Sequence, residues 1–543
     1  MPKPYKLNMR QAVLTHYNNG ALVVKIKFPF NPEDIAIVKT IPGRKWNPEA
    51  RFWTCPPTSQ AVKILDDAKF VIDQKLRAHL KSKKVKVNLA TLVIPGLKKK
   101  LFAYQNEGVA FIESRNGRAL IGDDMGLGKT VQAIAWLQLN PQKRPAIIVV
   151  PASVKLNWQK EIVAWMGAGP NKVQIITGRK ISKLSGNIII INYDIIEAWL
   201  KPLIAFNPQV VICDEIQYCK GSTHRTKAVR KLSRHVPHFI GLSGTPIVNR
   251  PIELFNAIQM IDNTIMPNWQ TYVRRYCDAK HNGFGLVVNG ASNTQELHEL
   301  LSQSIMLRRT KKEVLTDLPD KTISFFPLEM EPALEKEYNE AEDNFLEWMK
   351  TRRGAAAAER ASFAQALAEI EVLKQVAVEA KLPHAIEWID DFLDTGEKLV
   401  VFCTHKFVVD AIMKEFSKEA VKLDGRTSGP DRQLAVDKFQ NKPETRLFVG
   451  NIKAAGVGIT LTAASSVAFL ELPWTPGDLA QAAARVDRIG QKNAVNVYYL
   501  LAEYTIEEKI AALLDEKMKV LDSVLDGKET EDSSLIMDLI ENY

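Results

Sequence analysis

The hydrophobic positions divide the chain into two long regions in which short apolar runs alternate with helix-like stretches. The apolar runs of the first region are residues 147–150, 188–191, 210–213 and 239–242. Those of the second region are residues 399–402, 446–449, 467–470 and 495–500. Continuous apolar strands of this kind are typical of parallel sheets that are covered on both faces. The pattern therefore predicts an α/β protein with two parallel-sheet lobes.

The segments outside the two lobes have other patterns. Near the N-terminus, residues 22–28 predict a strand, residues 32–40 a helix and residues 45–53 a hairpin that turns at Asn47-Pro48. Between the lobes, residues 329–379 are rich in Ala, Glu, Lys and Leu and predict helices. The predicted domains are a small α+β N-terminal domain (1–82), a first lobe (88–325), a helical insertion or linker (326–380), a second lobe (381–503) and a C-terminal helical extension (504–543).

Composition narrows the class of protein. Of the 543 residues, 46% are hydrophobic and 25% charged, a globular balance, and no apolar run is long enough to span a bilayer. The five cysteines are widely separated, which favours buried thiols in a reduced, intracellular compartment over a zinc site or disulfides. The formal net charge of +10 favours an anionic partner such as nucleic acid, although many basic proteins bind none.

A glycine-rich segment after the apolar run 118–121 carries the clearest chemistry. Glycines at 126 and 128 precede Lys129, Thr130 and a predicted helix, which is the strand, loop and helix order of a phosphate-binding loop. Lys129 is placed to reach the β- and γ-phosphates of ATP, and the Thr130 hydroxyl to bind Mg²⁺. Asp123 stands where the strict pattern has its first glycine, so an ordinary glycine-rich turn is the alternative.

An acidic pair follows the third apolar run after the phosphate-binding loop. Asp214 and Glu215 come directly after the apolar run 210–213. Carboxylates at a strand end suit metal-assisted phosphoryl transfer, in which Asp214 holds Mg²⁺ and Glu215 orients and deprotonates the attacking water. A lone Asp-Glu pair is more often a solvated loop, but the preceding phosphate-binding loop favours the catalytic interpretation.

These segments, taken with others, resemble the Swi/Snf family of helicase-like ATPases over roughly residues 97–510. The matching segments are the nucleotide loop (124–130), a Q motif (104–109), motif Ia (151–158), motif III (242–249), the link out of the first lobe (307–314), motif V (454–464) and motif VI (481–491). The resemblance implies two RecA-like lobes with helical insertions. The sequence departs from the family pattern at Gln217, Thr460 and Asp487.

The resemblance also implies roles for individual residues. Expected contacts with the nucleotide are Gln105, Asp124, Gly126, Gly128, Gly458 and Gln481. Arg485 and Arg488, three residues apart on a predicted helix, would share one face and stabilise charge on the transferred phosphoryl group. The expected residues for coupling or DNA contact are Gln217, Lys155, Thr245, Asn249 and Arg426.

Residues 22–65 of the N-terminal segment resemble the HARP domain of annealing helicases. The resemblance implies that Arg44, Lys45 and Arg51 contact DNA phosphates. Trp46 and Trp53 are expected to fill a small core rather than to stack on bases, because hairpin aromatics more often do so.

The expected function is that of an ATP- and Mg²⁺-dependent translocase on duplex DNA, which remodels or anneals forked or branched DNA without sequence preference. An intracellular monomer is expected, in the cytoplasm or nucleoid if the source is bacterial or viral, with no membrane partner. A strand-separating helicase acting on DNA or RNA is the alternative. A DNA-binding scaffold without hydrolysis is a further one, but the intact set of Lys129, Thr130, Asp214, Glu215, Arg485 and Arg488 argues against it.

Overall fold

The computed structural model describes most of the chain. The described residues are 10–16, 22–41, 43–57, 59–77, 92–167, 169, 172–246, 250–281, 285–288, 290–315, 321–351, 359–456 and 458–514. By their internal contacts they form two units, one made mainly of residues 10–309 and the other mainly of residues 310–514. None of the described helices is both long and apolar enough to cross a membrane.

The N-terminal segment folds as a small α+β layer within the first unit. Its strands are β1 (Gln11–His16), β2 (Leu22–Lys27), β3 (Lys45–Asn47), β4 (Phe52–Cys55) and β5 (Val71–Ile72), and its helices are α1 (Pro32–Thr40) and α2 (Ser59–Asp67). The sheet order is β3-β4-β2-β1-β5. Helix α1 begins where expected, because Asn31 accepts a hydrogen bond from the N–H of Glu33 and Pro32 takes the first helical position. The predicted strand, helix and hairpin are all present.

The first lobe contains a seven-stranded parallel sheet. Its strands are β6 (Arg118–Ile121), β7 (Ala146–Val150), β8 (Val173–Ile175), β9 (Ile188–Asn192), β10 (Val210–Asp214), β11 (His238–Leu242) and, after the short hairpin β12 (Lys280–His281) and β13 (Leu286–Val287), β14 (Met306–Leu307). Its helices are α3 (Ala103–Ser114), α4 (Lys129–Leu139), α5 (Lys155–Met166), α6 (Ile196–Ala205), α7 (His224–Ser233), α8 (Leu254–Ile261), α9 (Trp269–Tyr276) and α10 (Thr294–Ser304). All residues of β7, β9 and β11 are buried, as continuous apolar strands predict.

The order of strands in this sheet is β14-β6-β11-β10-β7-β9-β8. Strand β11 therefore pairs in parallel with β6 on one side and with β10 on the other. Since parallel strands end at the same edge, the segments that follow β6, β11 and β10 are neighbours. The phosphate-binding loop and the Asp214-Glu215 pair thus flank the segment after β11.

The second lobe has a six-stranded parallel sheet in the order β15-β20-β19-β16-β18-β17. Its strands are β15 (Lys321–Leu328), β16 (Leu399–Cys403), β17 (Ala420–Leu423), β18 (Leu447–Asn451), β19 (Ser466–Phe469) and β20 (Val495–Ala502). Its helices are α11 (Lys311–Val314), α12 (Pro332–Thr351), α13 (Glu359–Asp394), α14 (Lys406–Glu415), α15 (Gly429–Asn441), α16 (Ile452–Ala455) and α17 (Pro476–Ala483). The predicted fold class of two parallel-sheet lobes is confirmed.

Two of the predicted domain limits differ from the structure. Strand β15 pairs with β20 along eight residues, so residues 321–325 lie in the second sheet and not in the first lobe. The sequence did not predict this strand, because β15 lies at the edge of the sheet and most of its residues are exposed. Phe325, for example, is 57% exposed. Helix α13 is continuous through the limit predicted at 380/381, since its inner face is needed to cover the second sheet.

A buried ion pair joins α13 to the end of the described chain. Lys381 Nζ donates to Glu507 Oε2 at 2.5 Å and to the carbonyl oxygen of Leu500 at 2.6 Å. The same Glu507 oxygen accepts from the N–H of Ala502 at 2.8 Å. Of the predicted C-terminal extension (504–543), residues 506–514 are helical and residues 515–543 lie outside the described residues. All five cysteines are buried and free, as predicted.

We expect Lys381→Ala to destabilise the second lobe by about 3–5 kcal/mol, because the Glu507 carboxylate would remain buried without its cation. The double variant Lys381→Met/Glu507→Gln removes both charges at similar volume and is expected to recover much of that loss. Urea unfolding of both variants measures the effect. A double variant as unstable as the single one would show that the loss comes from packing instead.

Candidate nucleotide-binding and coupling site

The phosphate-binding loop leaves β6 at Ile121 and enters helix α4 at Lys129. Gly126 and Gly128 both adopt left-handed backbone angles, with φ of +89° and +78°. A Cβ atom on Gly128 would lie 2.5 Å from Nε2 of Gln105, so the predicted Q-motif glutamine packs directly against the loop. Gln105 is buried and its Oε1 accepts the N–H of Phe102 at 3.0 Å, while Asp124 is half-buried at the tip of the loop. Gln105, Gly128 and Lys129 are thus brought together.

Asp123, at the position of the missing first glycine, turns away from the loop into a buried charge network. Its carboxylate accepts two hydrogen bonds from Arg309, at 3.0 Å from Nε and 2.6 Å from Nη2. It also accepts one from Nε2 of Gln132 at 2.9 Å. Arg309 additionally donates to the carbonyl oxygen of Tyr104 in the Q motif. Lys129 Nζ in turn donates to the Asp123 carbonyl oxygen at 2.7 Å, so a single residue ties the loop, its lysine and the Q-motif helix together.

The neighbouring arginine secures the backbone on the other side of the loop. Arg308 Nη1 donates to the carbonyl oxygens of Gly122 at 2.9 Å and Gly244 at 3.3 Å. It therefore joins the start of the phosphate-binding loop to the segment after β11. Neither Arg308 nor Arg309 is among the site residues that the sequence predicted. Their position after the last strand of the first sheet was the available signal, but only the fold brings them beside residue 123.

Asp214, at the end of β10, is held on two sides. Its Oδ2 accepts the indole N–H of Trp158 at 2.7 Å, and its carbonyl oxygen accepts the Tyr193 hydroxyl at 2.7 Å. Burial and the neighbouring charge of Glu215 raise the pKa of Asp214 to about 7, against the opposing effects of Trp158 and Lys129. A buried carboxyl group with a raised pKa is a place where a cation is favourable. The role of Trp158 was not predicted.

A chain of hydrogen bonds runs from Glu215 to the segment after β11. Gln217 Nε2 donates to Glu215 Oε2 at 2.6 Å, and Gln217 Oε1 accepts the Ser243 hydroxyl at 2.7 Å. Ser243 Oγ also accepts the N–H of Thr245 at 3.1 Å. Glu215 has a φ of +53°, a left-handed angle that is uncommon for a residue with a side chain. The predicted coupling residues Gln217 and Thr245 therefore form one relay, whereas Asn249 lies outside the described residues.

Two predicted DNA contacts are engaged within their own lobes. Lys155 Nζ donates to the carbonyl oxygen of Ile176 at 2.9 Å and to Asn192 Oδ1 at 3.0 Å, and burial lowers its pKa. Arg426 makes a two-pronged contact with Asp410, at 2.8 and 2.7 Å, and also donates from Nε to Asp424. These hydrogen bonds raise the pKa of Arg426 and neutralise its charge locally. Both side chains would have to exchange partners before contacting a phosphate.

The predicted contacts in the N-terminal domain differ in exposure. Arg51 is exposed, at a turn with φ of +49°, and Lys45 is half-buried. Arg44 donates to the carbonyl oxygen of Ile41 at 3.2 Å, and burial and then the charge of Arg275 lower its pKa. Trp53 packs against the small core, as expected. The expectation for Trp46 was wrong, because it lies on β3 at the edge of the sheet and is 47% exposed, with its ring 5.2 Å from that of Trp53.

In the second lobe, Arg485 and Arg488 do not lie on a helix as predicted. Helix α17 ends at Ala483, and the carbonyl oxygen of Arg485 accepts the N–H of Leu461 instead of a helical partner. Both guanidinium groups nevertheless reach the carbonyl oxygen of Ile459, at 3.4 Å from Arg485 and 3.1 Å from Arg488. The predicted Gln481 is buried nearby, and its carbonyl oxygen accepts from Arg485 Nε at 3.0 Å. The predicted Gly458 has a φ of +77° in the segment before Ile459.

A polar cluster that was not predicted lies at the carboxyl ends of β16 and β19. The buried carboxylate of Glu471 accepts the backbone N–H groups of Thr404 and His405, at 2.7 and 2.9 Å, and also their side chains. Burial opposes ionisation of Glu471, but these hydrogen bonds outweigh it and lower its pKa to about 2. The bond to Glu471 raises the pKa of His405, against burial and the charge of Lys374, and Glu371 adds to the rise.

We expect the buried network of Asp123, Arg309 and Gln132 to be sensitive to the loss of one charge, because the other charge would remain buried without a partner. Asp123→Asn should lower the free energy of unfolding by about 3–5 kcal/mol, since Arg309 would lose its buried counter-charge. Asp66→Asn, at the exposed ion pair with Arg77, makes the same chemical change and should cost less than about 1 kcal/mol. Urea unfolding of the two variants measures how much free energy of unfolding each of them loses. Equal losses would contradict a structural role for the Asp123 charge.

The pair of His405 and Glu471 should make stability depend on pH. The folded-state pKa of His405 lies above its ordinary 6.5 and that of Glu471 below its ordinary 4.5. The contribution of the pair is therefore full between these ordinary values, and it is lost as pH rises through the folded pKa of His405. His405→Ala should destabilise the protein more at pH 6 than at pH 9 in urea unfolding, whereas His224→Ala, at an exposed His-Glu pair, should show little difference. A loss that does not change with pH would contradict this role of the pair.

The fold and the site together define a class. A phosphate-binding loop, an Asp-Glu pair two strands away in the same sheet, and a second parallel-sheet lobe with paired arginines are the features of two-lobed, helicase-like nucleotide-binding proteins. The profile of the SNF2-related domain matches residues 104–382, and that of the helicase conserved C-terminal domain matches residues 384–490. The chain belongs to the SNF2-related family.

Several curated proteins are similar to this chain. The SWI/SNF-related matrix-associated actin-dependent regulator of chromatin subfamily A-like protein 1 of Xenopus laevis is 38% identical over 431 residues, which are 78% of this chain and 44% of that protein. Its homolog in Caenorhabditis elegans is 31% identical over 531 residues, which are 93% of this chain and 75% of that protein. The DNA annealing helicase and endonuclease ZRANB3 of Homo sapiens is 35% identical over 458 residues, 81% of this chain and 42% of that protein. The chain thus spans less than half the length of two of these relatives.

Proposed function

We propose that this protein hydrolyses ATP in a reaction stimulated by duplex DNA and uses the reaction to move along the duplex, with forked or branched DNA as its target. The observation that carries the proposal is the relay from Glu215 through Gln217 to Ser243 and Thr245. It gives the residue expected to activate water a direct, buried connection to the segment after β11.

The predicted site residues have the chemical groups that phosphoryl transfer requires. Lys129, at the N-terminus of α4, would hold the β- and γ-phosphates together with the backbone N–H groups of the loop. The Glu215 carboxylate accepts the proton of the attacking water, and Gln217 fixes its orientation through the 2.6 Å hydrogen bond. Arg485 and Arg488 are proposed to meet the developing phosphoryl charge once they leave the carbonyl oxygen of Ile459.

The donor groups also fit Mg²⁺. Asp214 offers a buried carboxylate oxygen and Thr130 a hydroxyl at the start of α4, and oxygen is the ligand type that Mg²⁺ prefers. The described residues contain no group of three or more His, Cys, Asp or Glu side chains that could hold a metal ion, so the phosphates and water would have to supply the other ligands at this site. When bound, Mg²⁺ would neutralise charge on the β- and γ-phosphate oxygens, and Asp214 would hold its position with Trp158 as the partner of the second oxygen.

DNA is the proposed partner for three reasons. The chain has a formal net charge of +10. One relative is named a DNA annealing helicase. The N-terminal layer exposes Arg51 and Trp46, which suits contact with a phosphate backbone beside an unpaired base. We propose that residues 10–77 act as the part that recognises the DNA structure, as a HARP-like domain would, and that the two lobes form the motor.

The test separates hydrolysis from coupling. Glu215→Gln should lower ATP turnover by about 10²–10⁴-fold, because the general base is removed. Gln217→Leu keeps the volume and breaks the relay, so it should retain turnover without DNA and lose the stimulation by DNA. Turnover is measured at fixed salt without nucleic acid and with single-stranded, duplex and forked DNA and RNA. Stimulation by single strands or RNA alone would move the assignment to a strand-separating helicase, and unchanged turnover in Glu215→Gln would overturn the proposed function.

A further inference from the structure

The first lobe contains a long stretch of sequence without any acidic residue. Residues 216–252 include seven Lys or Arg residues and no Asp or Glu. Most of these cations lie on or next to helix α7, which follows the catalytic pair by nine residues. None of them belongs to the nucleotide site described above. Such a concentration of one charge on one element attracts a polyanion.

Helix α7 forms one wall of a groove with a volume of about 760 Å³. Lys220, just before α7, and Lys227 and Arg230 on α7 line the groove, together with Asn256 and Phe255 from α8 and Trp269 at the start of α9. The volume is large enough for a nucleotide-sized group. The groove therefore combines cations, a hydrogen-bonding amide and aromatic rings in one concave surface.

The positive charge of the groove is only partly balanced. Lys220 pairs with Glu253, the one acidic residue of the lining, at 3.1 Å. Arg230 donates to the neutral Gln259 at 3.0 Å, and burial together with the like charge of Arg234 lowers its pKa. Lys227 is exposed and forms no ion pair with any residue in the described part of the chain. An anion bound between Lys227 and Arg230 would offset the repulsion between the charges of Arg230 and Arg234.

The exposure of Trp269 favours single-stranded over duplex nucleic acid as the ligand of the groove. Its ring is 42% exposed although it borders the groove. Aromatic rings beside cations bind single strands, because unpaired bases can stack on the ring while phosphates contact the cations. In a duplex the bases are paired and stacked on each other, and a rod of that width does not enter a concave pocket.

We propose that this groove binds one strand of single-stranded DNA, with its phosphates against Lys227 and Arg230 and a base stacked on Trp269. The site is distinct from the nucleotide site and goes beyond the proposed duplex-stimulated hydrolysis. A protein that tracks a duplex and also holds a displaced strand can keep that strand near its complement. Binding in the absence of ATP tests the groove independently of the motor.

The experiment measures the affinity of the full chain for a fluorescein-labelled oligothymidylate and for a blunt duplex, without nucleotide, at several salt concentrations. Lys227→Ala/Arg230→Ala should reduce the slope of log K against log salt for the single strand by about 1.4, which corresponds to two lost phosphate contacts. Trp269→Ala should weaken single-strand binding by roughly 5–150-fold, and Trp269→Phe should restore most of it.

Lys231→Ala is the matched control, because Lys231 is an exposed cation of the same helix that does not line the groove. Lys231→Ala should leave both the affinity for the single strand and its dependence on salt close to the wild-type values. Duplex affinity and duplex-stimulated ATP turnover should remain near the wild-type values in all groove variants. An equal loss for the single strand and the duplex, or no loss for either, would overturn the proposal. A failure of the proposed hydrolysis would appear instead as missing turnover in the unmodified chain with single-strand binding intact.

Discussion

Strand β11 lies between β6 and β10 in the first sheet, and most features of the site follow from that order. Its parallel pairing with both neighbours sets the loop after β6, the segment after β11 and the Asp214-Glu215 pair side by side. The Ser243 hydroxyl can therefore reach Gln217, and Arg308 can reach Gly122 and Gly244 together. A strand order without β11 between β6 and β10 would lose these contacts.

Buried charge is used in both lobes to fix loops that carry chemistry or join elements. In the first lobe, Asp123 and Arg309 lock the phosphate-binding loop to the Q-motif helix. In the second lobe, Lys381 and Glu507 tie the long helix α13 to residues 506–514. Such pairs add little net stability over apolar residues of the same size, but they allow only one arrangement, since every alternative leaves a buried charge unpaired. That specificity suits a protein whose loops must hold phosphates in a fixed place.

The distribution of cations separates the DNA contacts that the family motifs predicted from the groove proposed to bind single-stranded DNA. Lys155 and Arg426, which family motifs pointed to, are satisfied by partners in their own lobes. Helix α7, which no motif pointed to, carries cations with few acidic partners. The charge of Arg426 is offset by Asp410 and Asp424 although its side chain is 43% exposed, whereas Lys227 forms no ion pair with any described residue.

The sequence by itself determined the two parallel-sheet lobes, the glycine-rich loop before α4, the acidic pair at the end of β10 and the family. These features depend on short-range patterns: apolar runs of strand length, glycines before a lysine, and acids directly after a buried strand. Tertiary structure decided the rest. The edge strand β15 lacks a buried pattern of its own, the carbonyl oxygen of Arg485 accepts from Leu461 beyond the end of helix α17, and Asp123 contacts Arg309, which lies 186 residues further along the chain. Such contacts join residues far apart in the chain, so no local pattern of residues specifies them.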